Sequence, residues 1–210
     1  MRVVIRNPSL TPVLQWTQRV LVTGGILLLG YCAVVLADAW IFQHRQEQNL
    51  ERQLRAVREA KAAALPVAAP KPPESLAFVG PDGLIGRIEI RRLGISVVVV
   101  EGAEKPELRR AAGHIVGTGI PGQPGNVGIA AHRDTFFRPL RNIRANDIIT
   151  LTTLRGDYQY RVVSTKVVDP YDVAVLDPDG HEILTLVTCY PFYFVGAAPL
   201  RFIVRAERVA

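Results

Sequence analysis

Leu184-Thr185-Leu186-Val187-Thr188-Cys189 is an apolar, β-branched run that ends on one of the two cysteines of this 210-residue chain. The run reads as a strand over 182–188, and Tyr190-Pro191-Phe192 then forces the chain out of the sheet, because proline cannot donate to a ladder. A strand that closes on a cysteine presents the sulfur at the rim of its sheet. The other cysteine, Cys32, sits in a hydrophobic segment, so Cys189 is the thiol placed to react in water. By itself a late cysteine reads as a small buried hydrophobe. It becomes a nucleophile when a histidine or another cation stabilises the thiolate.

Working outward, further short strands are expected at 84–90, 95–100, 126–131, 148–153, 158–168 and 200–206, each bounded by Gly, Pro, Asp or Asn. Short helices are expected at 105–112 and 136–143. Seven or eight strands without a regular alternation of helices indicate an all-β barrel or sandwich rather than a parallel α/β sheet.

The N-terminal third has a different character. Residues 20–37, VLVTGGILLLGYCAVVLA, carry no charge, and the apolar stretch resumes after Asp38 as far as Phe42. About 20 apolar residues cross a bilayer core, and Trp16 and Trp40 flank this stretch at headgroup depth. The stretch is longer than the apolar part of a cleaved signal, although Ala37-Asp38-Ala39 resembles a cleavage site, so an uncleaved anchor is expected. Arg2, Arg6 and Arg19 before it nearly balance Arg45, Arg52 and Arg55 after it, and charge alone does not orient it. Residues 43–65 are strong helix formers with Leu50, Leu54 and Val57 on one stripe, which reads as a helical stalk. Pro66, Pro70, Pro72 and Pro73 then mark an extended spacer. The expected organisation is a cytoplasmic head (1–19), a transmembrane signal anchor (20–42), a stalk with a Pro-rich linker (43–75) and a catalytic domain (76–210).

The net charge of +6 permits an anionic surface as partner. The arginines are scattered without interleaved aromatics or a nucleic-acid motif, so nucleic acid is not an expected partner. Two cysteines this far apart in character supply no disulfide framework.

His132 closes the apolar run Asn126-Val127-Gly128-Ile129-Ala130-Ala131 and so repeats the placement of Cys189. Arg133, Asp134 and Thr135 follow it, any of which has a side chain able to bond the ring. Of the other histidines, His44 lies in the stalk, His181 follows a turn, and His114 lies between a short helix and the turn region GTGIPGQPGN. Arg201 stands within the apolar run Leu200-Arg201-Phe202-Ile203-Val204, where a charge costs desolvation unless it has a task or a partner. A guanidinium beside a thiolate would stabilise the oxyanion of acyl transfer. Simple alternation, with Arg201, Ile203 and Arg205 on one face, accounts for it equally well.

Together these segments resemble the sortase family. TLVTCYPF is similar to the family's nucleophile motif, NVGIAAHRDTFFRPL to its histidine segment and APLRFIVRAE to its arginine strand, in the family's order. GTGIPGQPGN and CYPFYFVGAAPLRF bring the class D and class E types nearest. The resemblance implies a closed β-barrel of about eight strands and a membrane-anchored, extracytoplasmic cysteine transpeptidase. It implies that Cys189 attacks the threonine carbonyl of an LPxTG-like sorting signal, that His132 is the acid and base, and that Arg201 holds the oxyanion, with Thr188 assisting through its hydroxyl or its backbone. Expected partners are secreted proteins with a C-terminal sorting signal, an amine acceptor such as a cell-wall precursor, and membrane lipid. The loop 169–177 occupies the position of the peptide groove, with Pro170, Val173, Val175 and Leu176 as lining candidates. Its acidic residues invite comparison with a calcium site, but solvated turns account for them, and neither metal nor other cofactor is expected. Nothing upstream of Gly83 resembles the lid of pilin-polymerising sortases, although the Pro-rich spacer has the length to pack over the site. The competing readings are another cysteine peptidase or acyl transferase, whose local signatures are missing, and an inactive membrane-tethered β-barrel binding module, which would need neither His132 nor Arg201.

Overall fold

The computed structural model describes residues 10–63, 79–80, 83–178 and 180–209. The Pro-rich spacer lies outside them. The chain divides into two compact units, Met1–Ile41 and Phe42–Ala210. Helix α1 (Leu10–Ala63) supplies the described residues of the first, and its large apolar side chains between Val13 and Ile41 are exposed. It is long and apolar enough to cross a membrane.

The second unit is built on eight strands: β1 (Leu84–Ile90), β2 (Ile95–Glu101), β3 (Ala112–His114), β4 (Gly125–Ala130), β5 (Ile148–Thr153), β6 (Gly156–Val168), β7 (Glu182–Tyr190) and β8 (Leu200–Arg208). They close into a barrel in the order β1-β2-β3-β4-β7-β8-β6-β5, as the all-β reading anticipates. Pairs β2–β3 and β4–β7 are parallel and the other six antiparallel. Period-two alternation fills the interior: Val127 and Ile129 of β4, Leu184 and Leu186 of β7, and Val204 and Ala206 of β8 join Ile88, Leu151 and Tyr160 in one core. Gly86 sits at a register shift in β1, where a Cβ would collide with Thr152 O of β5, so only glycine permits the close approach.

Two local expectations are corrected. The helix expected over 105–112 stops as α2 (Lys105–Leu108), and the chain re-enters the sheet as β3. Ala-Gly-His has neither alternation nor β-branching, so β3 exists only because β2 and β4 flank it. The helix expected over 136–143 is a 3-10 turn, Arg138–Asn142, with buried Leu140 as its anchor.

Within the second unit, α1 residues from Phe42 onward are more than a stalk. Leu50 is buried in an outer cluster with Leu84, Val98, Val100 and Ala111, with Phe42 and Leu54 packed against it. Gln43 Oε1 accepts from Val98 N (2.9 Å) and Gln43 Nε2 donates to Arg110 O (2.5 Å). Arg87 pairs with Glu47 across the same contact at 2.9 Å. Two members of the stripe seen in the sequence, Leu50 and Leu54, pack on the barrel's own outer face. Leu50→Ala is expected to cost about 3 kcal/mol, read as a lower denaturation midpoint, and a truncation starting at residue 75 is expected to melt below one starting at residue 42.

Candidate active site

The parallel ladder β4–β7 registers Ala130 against Val187, and Ala131 N donates to Val187 O at 3.2 Å. Ala131 stays tied to β7, since Thr188 Oγ1 donates to Ala131 O, so the chain enters His132 next to the end of β7 that carries Cys189. Antiparallel β8 lies on the other side of β7 and registers Arg201 directly against Cys189. Leu184, Leu186 and Val204 point into the core, so Cys189 of β7 and Arg201 of β8, of opposite parity, stand on the outer face, while His132, just past the buried Ala131 at the end of β4, is exposed at the same rim. The sequence pattern Arg201, Ile203, Arg205 on one face is what the barrel displays.

Cys189 is half-buried and His132 exposed. The backbone under His132 is held tightly: Phe137 N donates to His132 O at 3.1 Å, and Phe137 and Leu140 are fully buried beneath that turn. Thr188, 2 % exposed, donates its hydroxyl proton to Ala131 O at 2.7 Å. That bond ties the ends of β4 and β7 together, and it leaves the Thr188 backbone as the part of the residue adjoining the nucleophile. Arg201 Nη1 donates to Leu200 O (3.0 Å) and Ala198 O (3.3 Å). Behind the nucleophile, Phe192 and Phe202 pack edge to face at 5.3 Å between ring centres, with Tyr190 against both, and support this end of the barrel.

The side wall comes from the β6–β7 loop. Its 3-10 turn, Val173–Leu176, is fastened to the barrel by Asn126, which is 1 % exposed. Asn126 Nδ2 donates to Val175 O (3.1 Å) and Asp177 O (3.3 Å), and Asn126 Oδ1 accepts from Thr185 (2.7 Å). Leu176 lies over Gly128, whose missing side chain makes the room. Val175 lines a shallow cavity of about 250 Å³ with Ile203, Arg205 and Lys166, on the face that carries Cys189. Val173 is exposed and Pro170 half-buried, both on the same loop.

Sequence reading missed the roles of Asn126 and Arg133. Asn126 opens the apolar run of β4 and, as its one polar side chain, gave no sign of a partner, whereas Arg133 is one of the three residues whose side chain could bond the His132 ring. In the structure Arg133 turns away, buried, toward the β7–β8 loop. His114 is also buried, with Nδ1 at 2.8 Å from Glu101 Oε2 and Nε2 at 3.0 Å from Gly119 O, so both ring nitrogens are engaged away from the thiol. Among the described residues no group of His, Cys, Asp and Glu is gathered to hold a metal ion.

A sortase-domain family model matches residues 88–209, which spans β1 to β8 and all three candidate residues. The chain belongs to the sortase family. It is 30 % identical over 192 residues to Sortase D of Bacillus subtilis (strain 168), covering 90 % of this chain and 96 % of that one. Among solved structures, sortase C-1 of Streptococcus pneumoniae is 26 % identical with a TM-score of 0.59, covering 63 % of this chain and 70 % of its own. A Clostridium perfringens sortase D5 transpeptidase superposes with a TM-score of 0.62 over 80 % of this chain and 99 % of its own, at 24 % identity, a likeness of fold. Sortases are cysteine transpeptidases, so this chain is an enzyme of that type, as the three sequence segments anticipate.

Asn126→Ala removes one donor and one acceptor from buried partners, which costs about 1–3 kcal/mol. The expected outcome is faster amide hydrogen exchange confined to residues 173–178 together with a lower melting temperature.

Proposed function

We propose that this sortase is a membrane-anchored transpeptidase that cuts an LPxTG-like sorting signal and joins the protein to an amine on the cell surface. The observation that carries the reading is the convergence of Cys189, Arg201 and the end of the His132 strand on one outer face at one barrel rim. The Cys189 thiolate attacks the threonine carbonyl carbon of the signal. Arg201 shares the charge that builds on that oxygen, exchanging its contacts with Leu200 O and Ala198 O for the substrate. As the carbon–nitrogen bond breaks, His132 delivers a proton to the departing amine, leaving a thioester on Cys189. An incoming amine then attacks the thioester, His132 takes its proton, and the thiolate leaves. Exposure of His132 suits both exchanges, because leaving and entering amines approach from solvent.

The groove between the Val173–Leu176 wall and the floor of Val187 and Ile203 is the place for the extended signal peptide, with Val175 and Leu176 as apolar contacts and Val173 and Pro170 at its edge. The chemistry written here requires no metal or other cofactor. The apolar first unit fits a single membrane span, which would keep the catalytic domain close to where secreted tails emerge, outside the cytoplasm. Substrates of that kind and an amine acceptor, a cell-wall precursor or another surface amine, are the partners this reading requires.

In detergent, the full chain incubated with a library of LPxTG-type peptides and an oligoglycine acceptor is expected to give a thioacyl mass on Cys189 and a transfer product. Cys189→Ala abolishes both and Cys32→Ala changes neither. His132→Ala is expected to lower turnover by about 10²- to 10⁴-fold. Absence of any adduct across the library would sink the proposal.

A further inference from the structure

Arg133 is 5 % exposed and makes a fork of bonds to a single loop. Nη1 donates to Pro191 O (2.8 Å), and Nη2 donates to Phe194 O (2.6 Å) and Gly196 O (3.0 Å). Its Nε grazes the exposed Asp134 carboxylate at 3.3 Å, and the guanidinium carbon lies 5.9 Å from the centre of the Phe194 ring. The loop it grips, residues 191–199, leaves Cys189 at the end of β7 and returns to Arg201 at the start of β8.

Phe192 anchors the start of that loop on the core and Arg201 reaches Ala198 O at its end, but the middle has little to hold it. Tyr193, Phe194, Gly196 and Ala197 are exposed, Val195 is 95 % exposed, Phe194 N reaches back to Pro191 O at 3.3 Å, and the Arg141 guanidinium lies 5.6 Å from the Tyr193 ring. A buried guanidinium facing carbonyl oxygens, with its one carboxylate neighbour in solvent, is a costly way to order a surface loop. The fork geometry is what the expense supplies, since three diverging carbonyls match the rigid donors of arginine and not the point charge of lysine.

Arg133 also directly follows His132, whose carbonyl and strand end are already fixed by Phe137 N and by the Thr188–Ala131 bond. One side chain therefore joins the backbone under His132 to the segment that connects Cys189 with Arg201. We propose that Arg133 is a positioning residue of the transpeptidation reaction: through the 191–199 loop it sets where Cys189 and Arg201 stand relative to His132. This rests on the function proposed above. It touches no reacting atom, so its loss is felt in the alignment of the reacting groups rather than in the groove, whose wall Asn126 holds separately.

The test compares Arg133→Gln and Arg133→Lys with the native full chain in peptide-transfer kinetics and in amide hydrogen exchange. A displacement near 1 Å is expected to lower kcat about 10- to 100-fold, and KM is expected to stay within about twofold, as for an interaction that matters only in the transition state. Arg133→Lys is expected to recover less than about a tenth of the lost rate, because one ammonium cannot serve three carbonyls. Exchange is expected to accelerate at 191–199 and to stay unchanged in β4 and β7, which also shows that the variants are folded. A native kcat in Arg133→Gln overturns the inference, as does full rescue by lysine, or a rate loss accompanied by faster exchange throughout the barrel. Should the native chain form no thioacyl enzyme, the function proposed above fails by itself. The exchange arm still decides whether Arg133 orders the loop, and unchanged exchange at 191–199 would overturn that too.

Discussion

Strands β4 and β7 run side by side in the same direction, so whatever each carries at its C-terminal end emerges at the same rim of the barrel. A parallel pair needs a long crossover, and here the chain between Ala130 and Glu182 builds β5, β6 and the loop that walls the groove. Register then does the rest. The offset that matches Ala130 to Val187 brings the chain out of β4 into His132 at the end of β7 that carries Cys189, and the two-residue period puts Cys189 on the outer face. Slipping β7 by one residue would turn Cys189 into the core. The packed interior of Val127, Ile129, Leu184 and Leu186 prevents that slip, so the hydrophobic core protects the catalytic geometry as well as the fold.

A few buried polar groups do what the core cannot, which is to place loops. Asn126 holds the β6–β7 wall, Thr188 closes the gap between two strand ends, and Arg133 grips the β7–β8 loop. Each satisfies backbone carbonyls that sheet ladders leave open, and each sits at the edge of the candidate site. Division of labour follows from the physics. Apolar packing is non-directional and fills volume, whereas a hydrogen bond to a carbonyl fixes a position to a fraction of an ångström.

The juxtaposition of α1 with the barrel's outer face, from Phe42 onward, makes the same point on a larger scale. Leu50, Leu54 and Val57 were visible as a stripe, and a stripe with three apolar positions is weak evidence for anything. Its partner, formed by Leu84, Val98, Val100 and Ala111, is drawn from β1, β2 and the residue before β3, each with alternation that looks like ordinary strand patterning. Nothing in a linear reading says that the outward members of those strands need a cover.

Local pattern determined much of this protein. Alternation and turn residues located seven of the eight strands to within about two residues, and the apolar run 20–37 declared a membrane-length helix. Three separated segments, containing His132, Cys189 and Arg201, carried the family. These signals survive in one dimension because each depends on neighbours two to four residues apart. Tertiary structure alone decided β3, whose Ala-Gly-His has no strand signal and pairs only because β2 and β4 are there. It alone turned Thr188 toward Ala131, buried His114 against Glu101, and aimed Arg133 at carbonyls some sixty positions away. Such contacts join residues whose own surroundings carry no trace of the partner, so only closure of the barrel brings the two ends together.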